Sequence, residues 1–302
     1  MFKKSIVTLI MMIITWVLLA QDKNSGKSGY QFLKLPVVPE LAGTGNTGEV
    51  NFSSPLLFLQ NPVAFHWQRG AGVAFSNTQW FADTSMYNLA WRNILFNQSL
   101  GFGMTYFDYG KLEQRTDNGL LIGEYNPMDL RITSNYTRKI TPSFNAGLNL
   151  NVAYQKIDTS SSLALFLDFG VLYLSPLRGA NIDLTFKNIG TSTKMDQEKT
   201  PLPFTAEMGI SLGNYNFLEG VVQILPATKI AYMNDHDDLL PSLGVNFQLY
   251  EVLFLRVGYK FNYNEESFSA GMGVEYASLR VDYSFVAIDI EDIHLFGIGW
   301  RF

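Results

Sequence analysis

Over most of its length this chain is written in twos. Phe144, Ala146, Leu148, Leu150, Val152 and Tyr154 alternate with Asn145, Gly147, Asn149, Asn151 and Gln155. Leu253, Leu255, Val257, Tyr259 and Phe261 alternate with Arg256, Gly258 and Lys260, and Leu279, Val281, Tyr283 and Phe285 with Arg280, Asp282 and Ser284. A strand turns successive side chains to opposite faces, so each segment carries one apolar face and one small or polar face. A soluble sandwich also alternates, but here the second face mixes Gly, Asn, Ser and full charges, which suits a hydrated or tightly filled interior. In lipid the backbone must satisfy its own hydrogen bonds, so strands with an apolar outer face must close on themselves.

The period-2 segments number about fourteen, near 64–77, 85–93, 98–108, 127–138, 143–156, 162–174, 180–190, 203–213, 216–225, 240–250, 251–262, 267–277, 278–288 and 293–302. Segments of about ten residues match tilted strands crossing a bilayer, and an even total fits a closed barrel. Connections after even-numbered segments are short, as at Ile140-Thr141-Pro142 and Ala277-Ser278, whereas 109–126, 191–202 and 226–239 are longer. Short periplasmic turns and longer outer loops are the expected asymmetry, and this order places both termini in the periplasm. The predicted class is therefore all-β: a transmembrane antiparallel β-barrel over residues 63–302. Composition agrees. Charged residues make up 16% of the chain, against 23 Phe, 15 Tyr and 5 Trp. A net charge of −5 without a basic cluster argues against nucleic acid. The absence of Cys excludes disulfides, thiolate metal sites and a lipidated amino-terminal cysteine.

The two ends carry their own signals. Lys3 and Lys4 precede an apolar run from Ile6 to Leu19, and Ala20 precedes Gln21-Asp22-Lys23. Residues 1–20 read as a secretory signal peptide cleaved after Ala20, the alternative being an uncleaved anchor for which the run is short. Residues 21–62 do not alternate and include several Pro and Gly; they form either a plug in the lumen or a periplasmic tail beneath the barrel. At the other end Phe296, Ile298, Trp300 and Phe302 alternate with Gly297, Gly299 and Arg301. A terminal strand ending in Phe resembles the signal that outer-membrane barrels present for insertion, which makes those four residues the candidate assembly signal.

Several segments resemble the PorV/PorQ family of outer-membrane proteins, whose barrel is similar to that of the FadL transporters. They are Phe32-Leu33-Lys34-Leu35-Pro36-Val37, Gln60-Asn61-Pro62-Val63, Trp80-Phe81-Ala82-Asp83-Thr84, Tyr106-Phe107-Asp108-Tyr109-Gly110, Gly123-Glu124-Tyr125, Ser175-Pro176-Leu177-Arg178-Gly179, Lys187-Asn188-Ile189-Gly190 and Leu202-Pro203-Phe204. The resemblance implies a FadL-like barrel and a non-enzymatic place in type IX secretion. Its partners there would be secretion subunits and the carboxy-terminal domains of exported cargo. A passive transporter of hydrophobic small molecules is the alternative, and a purely structural surface barrel a third reading. In each case the outer membrane and its lipid are the expected surroundings.

Little in the sequence points to catalysis or cofactors. His66, His236 and His294 lie on different segments. Ser284 is predicted lumenal, so no nucleophile–base pair stands out near the last strand. Asp235-His236-Asp237-Asp238 lacks the alternation and glycine of a calcium loop and reads as a solvated outer loop. Arg131, Asp183, Glu207, Arg256, Lys260, Glu275, Arg280 and Asp282 fall on the lumen face and are expected to pair there, with Glu275 and Arg280 as one candidate pair. Trp80 and Phe81 read as interface aromatics or, with Asp83, as an outer-rim binding lip.

Overall fold

A computed structural model describes residues 28–64, 71–175, 180–196, 198–213, 215–217, 220–236, 238–263 and 266–302. The alternating segments form strands β1 (Gly72–Gln79), β2 (Ser85–Leu95), β3 (Gln98–Asp108), β4 (Met128–Thr141), β5 (Phe144–Ile157), β6 (Ser160–Leu174) and β7 (Asn181–Ser192). The second half supplies β8 (Thr205–Ser211), β9 (Val222–Met233), β10 (Leu240–Leu249), β11 (Leu253–Lys260), β12 (Glu266–Tyr276), β13 (Leu279–Ile288) and β14 (Ile293–Arg301). Each pairs antiparallel with its neighbours in sequence. β14 returns to β1 with Gly72 opposite Arg301, which closes a barrel of 14 strands.

The wall turns its apolar face outward. On β5, Asn145, Asn149, Asn151 and Ala153 are buried, while Leu148, Leu150 and Val152 are exposed. Leu165, Phe102 and Ile132 continue the apolar belt, each more than half exposed. Such a belt is a liability in water and the expected surface in hydrocarbon. Among the described residues no helix is long and apolar enough to cross a membrane; the crossing elements are strands.

The two mouths differ. Connections 80–84, 109–127, 158–159, 193–204, 234–239, 261–265 and 289–292 share one mouth, and two of them carry extra hairpins, Leu112–Arg115 with Leu121–Tyr125 and Lys194–Met195 with Glu198–Lys199. By the loop asymmetry this mouth is the outer one.

Three boundary expectations change. The ninth strand runs Val222–Met233 rather than 216–225, so 226–239 is no long loop; the connection is only 234–239. Pro226 sits inside this strand opposite Val245, and its carbonyl accepts from the Leu212 N–H at 2.9 Å. Its missing N–H falls on that same side, one residue past the last paired position of β8, Ser211 opposite Ala227, so the paired run of β8 is left intact. The first strand begins at Gly72, while Ala64 is fully buried in the segment before it; 65–70 lie outside the described residues, as do 1–27. Finally, the described chain starts at the outer mouth, at Ser28, while the amino-terminus expected in the periplasm lies outside the described residues.

That placement follows from the path of residues 28–64, which run through the lumen. Ser28 bonds to Asp235 on the outer connection of β9 and β10, and the Gly29 N–H to the Pro201 carbonyl. A 3-10 turn (Gln31–Lys34) leads to Pro36 and Val37, whose carbonyls accept from Thr78 and Ser76 on β1. One helical turn, α1 (Pro39–Ala42), starts on a proline, where the missing N–H costs nothing. Beyond α1, Thr44 and Gly45 lie so close to the wall that a Cβ on Gly244 would stand 2.2 Å from the Thr44 carbonyl oxygen, and one on Gly258 2.1 Å from the Gly45 nitrogen. Only glycine admits that approach. A third 3-10 turn (Pro55–Leu59), after one at Glu49–Asn51, buries Leu56, Leu57 and Phe58. The segment ends near the inner mouth, with the Pro62 carbonyl held by Asn135 and Thr137 and the Ala64 carbonyl by Arg92. The main apolar core lies between this plug and the wall, joining Phe32, Leu41, Leu57 and Phe58 to Ala74, Met86, Ala90 and Phe166.

Candidate functional site

Residues 28–64 contain three charges, Lys34, Glu40 and Glu49. Each meets a charge on the barrel. Lys34 Nζ lies 2.8 Å from Asp235 Oδ2, and Glu40 Oε1 lies 3.4 Å from Arg280 Nε. Glu49 pairs with Lys229. The wall extends these pairs into networks. Arg280 reaches Asp282 at 2.7 Å and Glu275 at 3.3 Å, so the pair expected from sequence forms. Arg256 reaches Asp282 at 2.8 Å, with its guanidinium 5.6 Å from the rings of both Phe52 and Phe254. Lys229 and Lys187 share Glu207, at 3.3 and 2.6 Å. Asp183 accepts from Asn61 of the plug at 3.2 Å. All eight lumen charges expected from sequence are buried. Low-dielectric burial makes such groups costly unless paired, and here plug and wall complete each other.

The interior is correspondingly full. Two cavities between plug and wall, one beside Glu40 and Arg280 and one beside Lys34 and Arg131, are each about 20 Å³. That is room for about one water.

The strand pairing of the wall has a gap. β8 begins at Thr205, opposite Lys187, so Asn188–Ser192 of β7 have β6 on one side and no strand on the other. Residues 199–204 stand across the gap, bridged by Asn188 Nδ2 to the Pro203 carbonyl and Ser192 Oγ to the Thr200 carbonyl, both at 2.7 Å. Between the bridges lies a notch of about 440 Å³ lined by Ile189, Gly190, Thr191, Lys199, Pro201, Leu202 and Phe204. Its cause is local. Asn188 adopts φ 62°, and the β6–β7 register slips between Leu167 and Phe169. The bulge is fastened by the Asn188 N–H donating to Asp168 Oδ1 at 2.8 Å, while Asp168 Oδ2 accepts from Asn149 and Asn151. Bulges of this kind end pairing and bend a wall. Asn188 also lines the small cavity beside Lys34, so it stands between the notch and the interior.

The residues singled out from sequence are not gathered at this notch. Phe296, Ile298, Trp300 and Phe302 are exposed on the lipid face of β14 and at its end. Phe81 is half-buried and Asp83 exposed in the β1–β2 connection. Trp80 is no free lip: it packs inward on Ala42, Val286, Ile293 and Leu295. Ala20 and His66 lie outside the described residues. Ser284 faces the lumen and donates to the Pro39 carbonyl, while His294 stacks on Tyr283 on the outer face, so the two point apart. Asp235 corrects the reading of its run as a solvated loop, being 2% exposed and the partner of three plug side chains. Its sequence neighbours gave no sign of this, because the partners lie some two hundred residues away. Asn188 had a faint signal in the lost alternation of Phe186-Lys187-Asn188-Ile189.

These features define a class: a closed transmembrane barrel with a charge-matched plug and a side notch. The sequence matches no protein-family model and no curated protein. Among solved structures the chain is similar to the CymD monoaromatic hydrocarbon channel, with TM-score 0.58, 14% identity and coverage of 88% of this chain and 97% of that one. It is similar to the P. putida toluene transporter TodX, with TM-score 0.55, 11% identity and coverage of 87% and 97%. A Pseudomonas aeruginosa FadL homologue gives TM-score 0.53, 9% identity and coverage of 89% and 98%. The fold is that of the FadL-like outer-membrane barrels.

Proposed function

We propose that this protein is an exported, non-enzymatic outer-membrane barrel that passes hydrophobic small molecules, with monoaromatic hydrocarbons as the first class to test. The observation that carries the reading is the notch between β7 and the 199–204 segment. It interrupts the strand pairing of the wall beside the plug, and its lining is mostly apolar, as a small-molecule site requires. Uptake of an apolar fluorescent probe by cells carrying the protein tests it. Ile189→Trp, which fills the notch from the wall, should reduce protein-dependent uptake about tenfold; uptake unchanged by that substitution would overturn the reading.

A second reading is favoured by the filled interior. With the plug seated, cavities near its charged pairs hold about one water each, which suits a barrel that acts through its surface. On that reading the protein is a PorV/PorQ-type component of type IX secretion. Phe81 and Asp83 on the outer rim, next to Trp80, would meet subunits or cargo carboxy-terminal domains. Affinity purification from native outer membranes separates the two: co-purifying secretion subunits or cargo support the second, and a barrel carrying only lipid-like molecules supports the first. Both readings include signal cleavage after Ala20 and an assembly signal at Phe296, Ile298, Trp300 and Phe302. Both also divide the mature chain into a plug segment, 21–62, and a barrel, 63–302.

A further inference from the structure

The plug is fastened in two different ways. From Pro36 to Ala64 its polar partners are side chains along the strands, such as Ser76, Ser284, Ser269, Asn149 and Thr137. From Ser28 to Leu35 the partners outside the plug lie at the outer rim. Tyr30 donates to Ser162 near the start of β6, and the Gly29 N–H to Pro201. Asp235 collects the rest on one oxygen, accepting from Ser28 Oγ at 2.6 Å, Lys34 Nζ at 2.8 Å and Gln31 Nε2 at 3.3 Å. Charge-assisted bonds are the stronger kind, so this carboxylate is the main polar anchor of the segment.

The same segment lies behind the notch. A Cβ on Gly29 would touch Thr200 at 2.8 Å, and Leu33, Lys34 and Leu35 line the small cavity that reaches Asn188. At its inner end Leu35 is extended and Pro36 follows, so the 3-10 turn stops there.

We propose that Ser28–Leu35 is a strap across the inner side of the notch, hinged at Leu35-Pro36, and that Asp235 is the latch that holds it while the rest of the plug stays fixed. Its role as a gate rests on the notch being the route proposed above; its movement does not. Freed from Asp235, the strap keeps two polar anchors, Tyr30 and Gly29, and the apolar packing of Tyr30 and Phe32, and Lys34 loses its counter-charge. The inner body keeps Glu40 on Arg280 and Glu49 on Lys229.

The chain has no cysteine, so an introduced one is the sole thiol. Leu33→Cys reports on the strap and Ser53→Cys on the inner body, each labelled in the full-length protein in proteoliposomes with a membrane-impermeant maleimide. Adding Asp235→Asn should speed labelling of the strap cysteine about tenfold, the scale of one lost charge-assisted bond, and leave the inner cysteine unchanged. Asp235→Glu, which keeps the charge, should return the strap rate toward that of the native latch. Equal strap rates with and without Asp235→Asn would overturn the proposal. So would a parallel rise at both cysteines, because Asp235 would then stabilise the whole plug. Uptake measured on the same variant reads the transport reading alone: faster strap labelling without faster uptake supports the strap and counts against transport.

Discussion

Single residues decide whether this plug seats. Gly258 has no room for a methyl group, since its Cβ would meet the Gly45 backbone at 2.1 Å. Gly258→Ala is expected to cost about 1–3 kcal/mol, read as a lower urea midpoint for the detergent-refolded barrel. Gly123→Ala in the outer hairpin, where the nearest atom is a flexible Gln114 oxygen at 3.4 Å, should stay within about 0.5 kcal/mol. Arg280 is the other pivot. Arg280→Met leaves Glu40 without its ion pair, while Asp282 keeps Arg256 and Glu275 keeps Arg301, and should cost about 3–5 kcal/mol; adding Glu40→Gln should restore part of that, which a double-mutant cycle would measure. Alternation alone put Arg280 and Glu275 on one face and made their pairing legible. Nothing local to Gly258 distinguishes a glycine that admits a plug from one that lightens a lumen, because the contact is made by a segment two hundred residues earlier.

At the level of elements, fourteen strands were readable because the apolar face is unbroken wherever lipid must be met. The ninth was misplaced because a proline inside a strand reads as its end, and Pro226 is tolerated only where β8 has stopped. The β7 bulge escaped for the converse reason: one residue out of step looks like noise unless its partner, Asp168, is known. β14 carries a prediction of its own. Its outward Phe296, Ile298 and Trp300 and the terminal Phe302 form one aromatic-rich edge beside β1. Phe302→Lys should lower the amount of folded barrel in the membrane several-fold, read as loss of the heat-modifiable band on a gel. Unchanged levels would remove its role as an assembly signal.

For the whole molecule the plug and wall behave as matched charges in a shell. Deleting 28–64 should turn a barrel with little conductance into an open pore in planar bilayers and leave Arg280 and Lys229 without their plug partners. At the rim, acid should act late. Burial raises the Asp235 carboxyl, but hydrogen bonds from Lys34 and Ser28 outweigh it and hold it below its ordinary value of 3.8. A lowered carboxylate contributes fully above its ordinary value and loses that contribution as pH falls through the lowered one. An environment-sensitive fluorophore attached at Leu33→Cys before the titration should therefore report an unchanged strap near neutrality and its release only below about pH 3.8.

The run of 28–64 from one mouth to the other also bears on how the molecule is made. Ser28 is bonded at the outer rim, whereas β1 begins at the inner rim, where Gly72 meets Arg301. A finished ring would have to be threaded by a segment carrying Glu40 and Glu49 through a lumen lined with charges that await them. The easier order is the reverse: the amino-terminal thread is laid down first, and the last strand zips onto the first around it. Biogenesis of this barrel would then be a wrapping reaction, and a chain that lost its thread would have to close on an empty, charged centre.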